Sequence, residues 1–443
     1  MKRFKTLMLP VLVCLPVAAA GQARHSPVGM ASSQAAALNA AEKQDIVAKL
    51  ASALRDRYVF PDVAEKAAAK VQASLAVGDY AALNDPSAFA ARLTTDLAGV
   101  AHDKHMRVMS LMAPPPGPRQ PMVRGEGGLF RADRIAGGIG YIEVLGFPPP
   151  MIFKRTLDRA IAALAGSRAL VIDVRRNGGG SPQSVSYLVS YLIAPGRPIN
   201  TIVSRTEKTN DYTRESFASE PTPTSFVDVP VYVLTSKDTF SGGEEFAYDV
   251  QALKLGTLIG EVTGGGANPV GMVELGYGMA AMIPFGRAEN AVTGTNWEGR
   301  GVKPDIVVPA ADALRTALTK AGGKPAADIA AASIKRVFAP RSTPFPGSED
   351  ALRRIVVGYA SGAPDYALMS PDAAAQVRDA LPALHTQFAA LGSLQSMTFN
   401  GPDPLGGDEY RLRLAHGNVM MALVLGPKGK VAAISTPMPL PAS

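Results

Sequence analysis

Cysteine is all but missing: the 443-residue chain has one, Cys14. It lies in an N-terminal stretch that reads as removable, so the mature chain would have no disulfide framework, no thiol nucleophile and no thiolate metal site. Dense runs of Lys and Arg are also missing. The net charge of +7 is scattered and includes Lys2, Arg3 and Lys5, which gives no reason to expect a nucleic-acid partner. Past the N-terminus no apolar run is long enough for a membrane span. Histidine is scarce, with five residues, and tryptophan occurs once. What is there, 47 % hydrophobic and 19 % charged residues, excludes disorder along the whole chain and suits a soluble protein of about two to three domains.

The first residues, "MKRFKTLMLPVLVCLPVAAAGQA", have a cationic start, a short apolar stretch and a small-residue end. Those are the parts of a secretory signal peptide, with cleavage expected near Ala20 or Ala23 and a secreted or periplasmic product. A lipid anchor on Cys14 is disfavoured because Val13 before it is not small. Residues 24–38 read as a flexible leader.

From residue 39 to 113 apolar positions recur at helical spacing, and Asp85 and Pro86 are placed to start one of the helices. "APPPGPRQP" breaks every pattern and marks a boundary. Over residues 114–322 strands alternate with helices: "GGIGYIEVLGF", then "FKRTLDRAIAALAG", then "ALVIDVRRNGGGSPQSVSYLVSYLI" and "VPVYVLTSKDTFSGGEEFAYDVQAL". Such alternation predicts an α/β domain with a largely parallel sheet. Residues 323–345 read as a linker with some helical content. Two helical patterns and a meander over 346–443 predict a small α+β cone of the nuclear-transport-factor-like or cystatin-like kind. Its expected role is substrate recruitment, self-association into a homo-oligomer, or stabilisation alone.

Two glycine turns sit where strands give way to helices, the position at which α/β sheets bind ligands. In "TFSGGEE", Ser241 could present its hydroxyl while the Gly242 N–H faces a developing oxyanion, or it could simply cap a helix. "NGGGSP" could expose further N–H groups, though a plain tight turn explains it as well. No Walker lysine or dinucleotide fingerprint accompanies it. A serine hydroxyl needs a base. His25 lies in the leader, and His385 and His416 lie in the tail, which leaves "AHDKHMRV" with His102 and His105. Asp103, Asp173 and Glu298 are the acidic candidates to orient a histidine. No cofactor or metal is called for.

Four stretches taken in order, "DKHMRV", "LVIDVRRNGGGSP", "SKDTFSGGEEFAYDVQALKLGTLIGEVTGGGANP" and "NWEGRGVKPDIVVP", resemble the tail-specific protease superfamily, serine peptidase family 41. The likeness is to its interphotoreceptor-retinoid-binding-protein-like and tricorn-core-like branch, over residues 40 to 320. It implies a ClpP/crotonase-like core hydrolysing a peptide or protein substrate. Ser241 would be the nucleophile, His105 the general base and Glu298 its acidic partner, with Gly242 and Gly179 supplying the oxyanion N–H groups. Where relatives with a Ser–Lys dyad carry a lysine, this chain has "TGGGA". Where the tricorn-like site has a serine before its histidine, this chain has Lys104, a possible relay or a competing partner for Glu298. Residues 113–137 are far short of the ~80–100 a PDZ module needs. The other readings are a non-catalytic binder of an apolar, retinoid- or lipid-like ligand and, more remotely, an acyl-CoA enzyme.

Overall fold

Helices α1 (Ala40–Arg57), α2 (Pro61–Ala76) and α3 (Pro86–Ala101) realise the early periodicity in a computed structural model that describes residues 37–111, 125–403, 406–426, 429–435 and 437–440. The expected signal peptide, nearly all of the leader and the proline-rich boundary fall outside the described residues. A reciprocal cap begins α1: Asn39 Oδ1 accepts the Glu42 N–H at 3.0 Å, and the Glu42 carboxylate accepts the Asn39 N–H at 2.8 Å. Asp85 caps α3 through the Ala88 N–H at 2.7 Å, with Pro86 in the first turn. That helix stops at His102, which adopts a left-handed conformation with φ of 53° and turns the chain toward Asp103, Lys104 and His105.

The strands that follow are β1 (Arg107–Ser110), β2 (Leu129–Ile135), β3 (Ile139–Val144), β4 (Ala169–Asp173), β5 (Pro198–Arg205), β6 (Tyr212–Ala218) and β7 (Val231–Thr235). After them come β8 (Thr257–Gly260), β9 (Val270–Gly276), β10 (Met279–Pro284), β11 (Gly286–Asn290), β12 (Ile306–Val307) and β13 (Ser333–Phe338). Helices α4 (Pro150–Ala162), α5 (Pro182–Ser190), α6 (Gly242–Ala252), α7 (Ala310–Lys320) and the short α8 (Ile329–Ala332) are interspersed. The central sheet has the order β12-β8-β7-β4-β3-β2-β13. Pairing is parallel from β12 to β3 and antiparallel through β2 and β13. The fold is α/β with an N-terminal helical region.

Two expectations change. The stretch 39–113 is not helical throughout, because β1 pairs antiparallel with β10. The apolar faces of α1–α3 (Ile46, Leu50, Leu54, Phe89, Leu93) then bury against Met106, Val108, Leu275 and Ile283. This shared core carries His105 to the sheet domain. The stretch 323–345 is not a plain linker either, since β13 adds an antiparallel edge strand to β2, with Ser333 Oγ donating to Asp133 at 2.5 Å. Its pattern "SIKRVF" keeps half its side chains exposed and buries only Phe338, so the strand leaves only a weak apolar signature.

The described chain divides into two units, residues 37–345 with 399–410, and residues 346–398 with 411–440. In the second, α9 (Ser348–Ser361) and α10 (Pro371–Leu391) lie on a sheet of β16 (Gly417–Leu425), β17 (Val431–Ile434), β18 (Met438–Leu440) and those parts of β14 (Leu394–Pro402) and β15 (Asp408–Leu414) that fall outside 399–410. Its core includes Leu352, Ile355, Tyr359 and Phe388, the two rings 5.5 Å apart. In the first unit Asp408 is fully buried and accepts from Arg341 Nη1 at 2.8 Å and from the Phe345 N–H at 2.7 Å. Asp408→Ala leaves the Arg341 charge without this partner and should cost about 3–5 kcal/mol. Glu349→Ala, which removes an exposed ion pair with Arg353, should cost under ~1 kcal/mol. Urea unfolding of both variants checks this; similar midpoints would contradict it.

Candidate active site

Strands β4 and β7 are parallel neighbours, with Asp173 opposite Leu234, so the loops leaving them share one edge of the sheet. Asn177 ties these loops together. Its Nδ2 donates to Val144 O at 3.0 Å, its Oδ1 accepts the Gly179 N–H at 2.8 Å, and its carbonyl accepts the Phe240 N–H at 2.9 Å. The approach is so close that side chains are excluded. A Cβ on Gly179 would stand 2.7 Å from Ser241 Cβ and 3.1 Å from its Oγ, and one on Gly242 would stand 3.0 Å from the Gly180 nitrogen.

Ser241 sits at the start of α6 with φ of 52° and ψ of −121°. A non-glycine residue in such a region costs about 1–3 kcal/mol and persists only where its surroundings impose it. Glu244 imposes it. Its Oε2 accepts the Ser241 N–H at 2.9 Å and the Gly266 N–H at 2.8 Å, while Oε1 accepts the Gly265 N–H at 2.6 Å and the Thr263 hydroxyl at 2.5 Å. One buried carboxylate thus fixes the serine turn and the glycine loop 263–267 together. Ser241 is also the N-cap of α6, and Glu244 closes the cap on its N–H.

His105 is 8 % exposed, and its ring packs tilted against Phe240, the residue before the serine, at 4.7 Å between centroids. Gly266 faces the ring edge, where a Cβ would lie 2.7 Å from His105 Cε1. Burial, and after it the Arg107 charge, push the imidazole down to about 4, so it is neutral at pH 7. Its Nδ1 is enclosed and has no hydrogen-bond partner among the described residues, which leaves Nε2 to exchange a proton. Among the described residues no hydrogen bond joins the ring to Ser241 Oγ; the two are neighbours through Phe240.

Glu298 lies in the same cluster without gripping the imidazole. Its Oε1 accepts the Lys104 N–H at 3.0 Å and its Oε2 accepts the Ala267 N–H at 2.5 Å. It therefore staples the histidine segment to the glycine loop. Burial, and next the nearby Asp103 charge, raise its carboxyl to about 7. Lys104 takes part through its backbone; its side chain is exposed, and among the described residues it makes no ion pair with Glu298. Asp103 accepts the His105 N–H at 3.0 Å, the Asn268 amide at 2.8 Å and the Tyr58 hydroxyl at 3.2 Å. One acceptor atom each of Asp103, His105 and Glu298 lie within 4.8 Å of one another, the spacing of a potential metal site. The carboxylate oxygens there already face N–H and O–H donors, the surroundings of hydrogen-bond acceptors. Asp173 is elsewhere, held by Tyr141 and Arg175.

One expectation needs correcting. The Gly179 N–H is committed to Asn177, so it is not free for an oxyanion. The Gly180 N–H beside Gly242 has no partner among the described residues. Glu244, Asn177 and Asn268 went unread because polar residues in glycine turns carry no periodic signal; only the doubled acid after "SGG" hinted at Glu244.

Residues 138–308 match the model of peptidase family S41, and residues 31–125 match that of the N-terminal domain of this family in eukaryotic IRBP. The tricorn protease of Thermoplasma volcanium is 30 % identical over 184 residues, 40 % of this chain. The match spans only 16 % of that relative's length. Among solved structures, a photosystem II D1 C-terminal processing protease aligns over 61 % of this chain and 93 % of its own, at 14 % identity and a TM-score of 0.41. For a peptidase of Parabacteroides merdae the figures are 64 %, 93 %, 21 % and 0.44.

Proposed function

Because the chain belongs to peptidase family S41, we propose that it is a serine peptidase in which Ser241 is the nucleophile and His105 the general base. The observation that carries this reading is the packing of a neutral, buried imidazole on Phe240, directly before a serine held in a strained strand-to-helix turn. Ser241 Oγ attacks the scissile carbonyl as its proton passes to His105 Nε2. The N–H groups of Gly242 and Gly180 hold the tetrahedral oxyanion, and the proton then goes to the departing amine. Water attacks the acyl-enzyme by the same route and releases the acid. Glu298 acts here by fixing the backbone at Lys104 and Ala267. The N-terminal sequence supports export as part of this proposal.

A base must be unprotonated to act, so activity falls as pH drops through the imidazole's own value. That value lies at about 4, below the ordinary ~6.5. The acid limb of kcat/KM for a generic peptide substrate should therefore run well below pH 6 and disappear in His105→Ala. A limb at or above 6.5 that persists in Glu298→Gln would contradict the assignment.

A further inference from the structure

The proton on His105 Nδ1 needs an acceptor if Nε2 is to face the serine. At the cluster, all four oxygens of Glu298 and Asp103 already accept a donor. Asn268 Oδ1 is the buried oxygen of this cluster that receives no donor among the described residues. The residue is 2 % exposed, and among the described residues His105 Nδ1 is likewise buried without a partner. One atom is a donor in the tautomer the mechanism uses, and the other can only accept. The amide orientation is settled chemically, since Nδ2 donates to Asp103 Oδ2 at 2.8 Å and a flipped amide would set oxygen against a carboxylate. The residue is also placed by its neighbours: Gly266, two positions before it, abuts His105 Cε1, and Glu298 holds the intervening Ala267 N–H.

We infer that Asn268 is the positioning residue of the general base, its Oδ1 receiving the His105 Nδ1–H when the imidazole turns toward Ser241. Asp103 holds the amide from behind, so the order is Asp103, Asn268, His105, Ser241. Hydrogen bonds in a free enzyme are commonly longer than in its complexes, and this one forms on rotation of the ring. A neutral amide in this place fixes the tautomer without adding a charge that would favour the imidazolium. The inference rests on the peptidase reading for its meaning in catalysis, but not for the hydrogen bond itself.

The test has two readouts. In full-length Ser241→Ala protein with 15N-labelled histidine, the signal lost in a His105→Gln control should show at pH 7 a protonated Nδ1 and a bare Nε2. Adding Asn268→Ala should leave that ring averaging between tautomers. In the active enzyme Asn268→Ala should lower kcat about tenfold with KM unchanged. Asn268→Asp, whose second oxygen must share a proton with Asp103 across the 2.8 Å contact, keeps an acceptor toward the ring and should recover much of the kcat lost in Asn268→Ala. An unchanged tautomer, kcat and pH profile in Asn268→Ala would overturn the inference while leaving an active peptidase in place. Should Asn268→Ala fail to fold, Asn268→Ser, too short to reach the ring, decides alone, and an unchanged tautomer and kcat in it would overturn the inference. A fixed tautomer that depends on Asn268, in a protein that cleaves no peptide, would uphold the hydrogen bond and sink only the peptidase reading.

Discussion

Ser241→Ala is expected to lower kcat/KM for peptide hydrolysis by ~10⁴-fold or more while the protein stays folded. Losing a serine nucleophile removes the covalent route outright, and what survives comes from oxyanion stabilisation and binding. The substitution keeps the backbone hydrogen bond from Ser241 N–H to Glu244 Oε2 and the helix cap built on that glutamate, so the turn should persist. Unfolding should therefore be nearly unaffected, and circular dichroism with a thermal melt checks this. Retention of more than about a tenth of the activity would mean that another group attacks the substrate, since nucleophile removal leaves only residual rates.

The second large effect is expected at a residue with no chemistry of its own. Gly266→Ala puts a Cβ 2.4 Å from Phe240 Cζ and 2.7 Å from His105 Cε1. Both neighbours are side-chain ends, so the rings will shift and the backbone will not be torn. The stability cost should be that of overpacking, about 1–3 kcal/mol. The kinetic cost should be larger, about 10²-fold in kcat, because an ångström of misplacement of a catalytic group suffices for that. A variant with normal kcat would show that the ring seen against Phe240 is not the one that takes the proton.

The elements that carry Ser241 were legible because strand, glycine turn and helix each have a local cause: an apolar β-branched run, small residues at a close approach, and a helical repeat. The helices and the C-terminal meander were readable for the same reason. Pairings between distant segments were not. β1 meets β10 across some 170 residues, and Asn268 meets Asp103 across 165; neither leaves a trace in either segment alone. Gly179 shows a related limit: three consecutive glycines mark where N–H groups gather, but only the Asn177 carboxamide decides which of them is free. Glu298 was placed in the cluster by its motif, yet its hydrogen bonds go to backbone N–H groups of both adjoining segments.

Everything proposed for catalysis depends on a single activated alcohol. A fluorophosphonate probe, followed by peptide mapping, tests that most directly. Adduct is expected on Ser241 of the folded protein, none in Ser241→Ala, and slowed labelling in His105→Ala. Folded protein that leaves Ser241 unmodified, or carries the adduct on another residue, would contradict it.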